Sequence, residues 1–86
     1  MITEKQGDEA SPDIERWANE IAKSADGKVN VGVYHDGDSS TYVLRLMKGN
    51  RVLVFRLSEA QVRTSGREQE CERTLKRKLR DLDNMI

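Results

Sequence analysis

Gly49-Asn50 sits between two segments, residues 41–47 and 52–57, in which apolar side chains recur at every second position. This pairing constrains the chain more than any other feature. Two-residue hairpin loops need positive backbone torsions that glycine and asparagine accept, so the turn belongs at these two residues and the register of the flanking strands follows. Leu46 then faces Leu53, Leu44 faces Phe55 and Tyr42 faces Leu57, which makes one side of the hairpin wholly apolar or aromatic. The opposite side pairs Met47 with Val52, Arg45 with Val54 and Val43 with Arg56.

A third strand precedes the hairpin. Val29, Val31 and Val33 alternate with Asn30, Gly32 and Tyr34, predicting a strand over residues 28–35 with one buried face. Asp36, Gly37, Asp38, Ser39 and Ser40 are turn formers and connect it to the second strand. Before the sheet, Ile14, Trp17, Ala18, Ile21, Ala22 and Ala25 fall on one stripe of a 3.6-residue period, predicting a helix over 12–25. Ser11 offers a capping oxygen, Pro12 suits the first turn, and Gly27 is expected as a left-handed terminator.

After the sheet, Ser58 and Gln61 have capping-box spacing and predict a short helical turn. Ser65 and Glu68 have a similar spacing, and Cys71, Leu75, Leu79, Leu82 and Ile86 then recur every three or four residues, predicting a second long helix over 66–83. The expected fold is therefore α+β, a two-layer sandwich in the order helix, three-stranded antiparallel meander, helix. Residues 1–10 are polar and aperiodic and are expected to form a flexible tail, leaving 11–86 as a single domain.

Size and charge narrow the functions available. An 86-residue chain has room for one small core and for surface sites or shallow grooves rather than a deep cavity. Lys plus Arg and Asp plus Glu number 15 each, so no overall field draws the chain to nucleic acid or anionic lipid. Residues 1–26 carry three basic against seven acidic groups, a balance of −4, and the remainder carries +4. The single cysteine excludes an internal disulfide, and the short apolar runs predict no membrane span, so a soluble cytoplasmic protein is expected.

Candidate chemistry is sparse. His35, Asp36, Ser39 and Ser40 include the residue types of a hydrolase triad, but all four lie in one short stretch and His35 is expected to be an exposed turn residue. Asp36 and Asp38 are too few for a calcium loop, so neither metal nor cofactor is expected. Cys71 occupies an apolar-stripe position between Glu70 and Glu72 and reads as a packed thiol. No enzymatic activity is predicted.

Two binding surfaces are. The outer sheet face gathers Tyr34, Val43, Arg45, Met47, Val52, Val54 and Arg56, too apolar for an ordinary solvated face, and predicts a protein partner or a homodimer contact. The second is the basic run Arg73, Lys76, Arg77, Lys78 and Arg80, from which Arg73, Lys76, Arg77 and Arg80, helped by Arg45, Arg51 and Arg56, could meet RNA phosphates. Glu72 and Asp81 are spaced to pair with Lys76 and Arg77.

The helix, three-strand, helix order resembles the double-stranded RNA-binding domain over nearly all of residues 12–83. The resemblance implies the fold and, through the family's last helix, contact with duplex phosphates. That family begins its last helix with a lysine-rich run, where this chain has Arg67-Glu68-Gln69-Glu70, and carries a Gly-Pro pattern with a histidine where this chain has Asp36-Gly37-Asp38.

Overall fold

A computed structural model describes residues 1–85. Its elements are a 3-10 turn (Gly7–Ala10), helix α1 (Ser11–Ala25), strands β1 (Asn30–Asp36), β2 (Thr41–Lys48) and β3 (Arg51–Ser58), a short helix α2 (Glu59–Arg63) and helix α3 (Glu68–Asp83). The strands form one antiparallel sheet in the order β1-β2-β3. This is the α+β meander flanked by helices that the periodicities predict. Ile86, placed at the end of the second helical stripe from sequence, lies outside the described residues.

The hairpin register matches the one set by Gly49-Asn50 at every position named above, with Lys48 opposite Arg51 next to the turn and Gly49 at φ +60°. Alternation sends Val31, Tyr42, Leu44, Leu46, Phe55 and Leu57 to one face, where they are buried with Ile14, Ala18 and Ala22 of α1 and Cys71, Leu75, Leu79 and Leu82 of α3. Both long helices therefore cover the same side of the sheet, α1 against β1 and α3 against β2 and β3. Burying a leucine such as Leu44 contributes about 2 to 3 kcal/mol, so this layer carries most of the stability.

Helix ends depart from expectation in three places. The helix stripe begins at Ser11 itself because the 3-10 turn feeds directly into it; Ala10 is the cap residue, and the buried Ser11 hydroxyl has no hydrogen-bond partner. Gly27 is not left-handed, since α1 stops when Asp26 turns extended (φ −158°), and Ala25 is exposed there. The box at Ser65 does not form. Gly66 takes φ +90°, Arg67 precedes the first residue of α3 without a side-chain cap, and its guanidinium bonds the Glu70 carboxylate instead. The box at Ser58 does form, with Gln61 returning to the Ser58 N–H.

The first ten residues are the largest difference. Where the sequence predicts a loose tail, the structure seats a strap across the end of the sandwich. The Ile2 N–H donates to the Val62 carbonyl (3.0 Å), the buried Thr3 hydroxyl donates to Asp13 (2.8 Å), and the Tyr42 hydroxyl donates to the Gly7 carbonyl (3.2 Å). Ala10 is fully buried and Ile2 packs on the core. Hydrogen bonds to distant elements order this segment, and no periodicity announces them.

Candidate functional site

The face of the sheet away from the helices is arranged in cross-strand rows: Asn30, Met47 and Val52; then Gly32, Arg45 and Val54; then Tyr34, Val43 and Arg56; then Asp36, Thr41 and Ser58. Tyr34 is 53% exposed, Val54 52% and Val52 43%, and Arg45 and Arg56 are also exposed. Met47 is half-buried. Val43 is on this face but not at its surface. It is 1% exposed, because it occupies the middle strand between the larger Tyr34 and Arg56. The accessible patch is thus Tyr34, Arg45, Met47, Val52, Val54 and Arg56, with Val43 as its floor.

One end of the patch is polar. The Arg56 guanidinium donates to the Asp36 carboxylate (2.9 Å), the Ser39 hydroxyl (3.2 Å) and the Thr41 hydroxyl (2.9 Å). The bond from Arg56, with a second from Ser39, holds the Asp36 carboxyl below the usual range. Asp36 and Ser39 are therefore committed to the outer face.

His35 points the other way. By alternation it lies opposite Tyr42 on the helix side, with its ring 5.0 Å from the tyrosine ring and its side chain only 14% exposed. The expectation of an exposed turn histidine is corrected: parity within β1, shared with Val31 and Val33, turns it inward. Its Nε2 is 3.0 Å from the Glu59 carboxylate and its Nδ1 is 3.6 Å from Asp8. The sheet therefore separates His35 from Asp36 and Ser39. Tyr42, the nearest hydroxyl-bearing ring, is bonded to the Gly7 carbonyl, and burial pushes its pKa up.

Cys71 is fully buried on the α3 stripe, and burial raises its thiol pKa. Among the described residues there is no group of three or more potential metal ligands, and no helix is long and apolar enough to cross a membrane.

The basic residues of α3 divide. Lys76 pairs with Glu72 (3.1 Å), whereas Arg77 makes no ion pair with Asp81, and neither Arg73 nor Arg80 has a carboxylate partner among the described residues. Arg51 donates to the Asp83 carbonyl at the end of α3. Arg45 and Arg56 project from the opposite side of the sheet, so they do not join the α3 cations in one surface.

Sequence reasoning missed the residues that finish the β1 edge. The Asn19 side chain accepts from the Val31 N–H (3.0 Å) and donates to the Val31 carbonyl (2.9 Å), and a Glu15 carboxylate oxygen accepts from the Val33 N–H (3.0 Å). Lys23 reaches the Val29 carbonyl (3.3 Å). These positions read as the polar face of a helix. Only the lateral placement of α1 against the edge strand turns them into strand partners.

Comparison with protein-family models, curated proteins and solved structures finds no match to this chain.

Proposed function

We propose that this chain is a non-enzymatic binding module whose outer sheet face docks another protein chain. The observation that carries the reading is the clustering of Tyr34, Val52 and Val54, each more than two-fifths exposed, on the sheet face that no helix covers. Apolar side chains grouped on an open face are a common mark of a contact surface. The flanking Arg45 and Arg56 supply polar contacts at its rim. The double variant Val54→Glu with Met47→Glu should keep the far-UV spectrum and melting temperature close to the parent while abolishing a dimer or a purified complex. A parent that is monomeric and takes no partner would sink the reading.

A second reading is RNA binding by Arg73, Arg77 and Arg80 with Lys76. It is supported by the absence of carboxylate partners around those three arginines among the described residues. Mobility shift with duplex RNA at two salt concentrations separates the readings, because phosphate contacts weaken steeply as salt rises. No shift at low salt ends it.

A further inference from the structure

The sheet has two edges, and a helix caps only one of them, at Val31 and Val33. Of the main-chain groups that β1 turns away from β2, the Val31 N–H and carbonyl are taken by Asn19 and the Val33 N–H by Glu15. With Lys48 and Arg51 closing a two-residue hairpin, antiparallel alternation makes Arg51, Leu53, Phe55 and Leu57 the residues that bond β2. The N–H and carbonyl groups of Val52, Val54 and Arg56 then point away from the sheet. The Ser58 N–H, next in that series, is taken by Gln61. Val52, Val54 and Arg56 have no main-chain hydrogen-bond partner among the described residues.

We infer that this open edge pairs antiparallel with β3 of a second copy of the chain, about a twofold axis at Val54. The inference deepens the reading of the sheet as a contact surface, since Val52 and Val54 belong both to the outer face and to the edge. The sequence of β3 suits its own copy. In this register Val54 faces Val54, Val52 faces Arg56 and Leu53 faces Phe55, so no two like charges are opposed. Arg56 is already neutralised by Asp36 of its own chain. The register forms about six main-chain hydrogen bonds between chains whose net charge is zero. Closure follows as well. A β3 edge does not continue onto β1 of another copy, because Asn19 and Glu15 of α1 hold the main-chain groups at the middle of that edge, Val31 and Val33; the pairing uses the β3 edge of each copy and stops at two.

Light scattering on the full chain should give twice the 9.8 kDa chain mass. Val54→Lys and Val54→Glu should each be monomeric with unchanged circular dichroism, since Val54 is exposed, and mixing the two should restore the dimer by placing opposite charges at the axis. In the parent dimer the amides of Val52, Val54 and Arg56 should exchange at least tenfold more slowly than in either variant. A dimer whose three amides exchange freely would mean face-to-face stacking, which overturns edge pairing and leaves the docking reading standing. A parent that stays monomeric at high concentration overturns self-pairing, and protection of those amides only by an added partner would assign the edge to that partner.

Discussion

The β1 and β3 edges belong to the same three-stranded sheet and have the same backbone chemistry, yet the molecule treats them in opposite ways. At β1 a carboxamide from α1 presents a donor and an acceptor to one residue, as a neighbouring strand would, and a carboxylate takes the next N–H. At β3 the corresponding groups face outward beside two exposed valines. An unfinished edge is a template for another strand, and proteins commonly block it with charge, proline or a covering element. This chain blocks one edge with a helix and leaves the other open. The difference shows that edge protection is a property of where a helix lands, since α3 covers β3 from its inner face and meets Arg51, at the start of β3, through the Asp83 carbonyl.

The largest effect on this contrast should come from Asn19→Leu, which strips partners from the Val31 N–H and carbonyl while keeping side-chain size. Leaving these partly buried groups unpaired should cost about 2 to 4 kcal/mol, read by urea denaturation. Glu15→Ala removes one acceptor and should cost about half as much. Losses under about 0.5 kcal/mol for both, the range of ordinary surface changes, would show that the β1 edge is no better held than β3.

Acid should sharpen the contrast by a smaller amount. Asn19 does not titrate, whereas the chain just beyond β3 is fastened by Glu70, which accepts from Arg67 (2.9 Å) and Gln61 (2.8 Å). The Arg67 bond, with Gln61 second, pulls the Glu70 pKa down from 4.5 to about 2. Because the folded value is depressed, its stabilisation is complete above pH 4.5 and is lost as pH falls through about 2. Hydrogen exchange below pH 4.5 should therefore loosen α2 and the end of β3 before Val31, and Glu70→Gln should flatten the pH dependence. Equal loosening at both sites would remove the distinction.

Much of this was legible in the residues. The Gly49-Asn50 turn yields the full hairpin register, and the stripes of both long helices mark their buried faces, because alternation and helical period are local properties. His35 is misread as an exposed turn residue, although the parity that turns Val31 and Val33 toward the helices carries it inward as well; proximity to a turn is a weaker signal than strand phase. The strap over residues 1–10 and the sealing role of Asn19 were not legible. Each depends on a partner distant in sequence, Tyr42 and Val62 for the strap and Val31 for Asn19, and polar side chains carry no period that points to such partners. Gly27 and Ser65 show the converse limit, since composition marks a stop or a cap but the next residue's torsion decides whether it is used. Among the outer-face residues, sequence parity identified the patch, while Val43 sank beneath its larger neighbours.

The bond between Tyr42 and the Gly7 carbonyl has a consequence for the order of events during folding. It closes a loop of 35 residues, and its donor is held in place only when β2 sits between both neighbours. Contacts so far apart in sequence form late, after the local hairpin has made their closure favourable. The strap over residues 1–10 is then the last segment to settle, and pulse-labelled hydrogen exchange should find the Ile2 amide protected after those of β2. Protection of Ile2 before β2 would reverse that order.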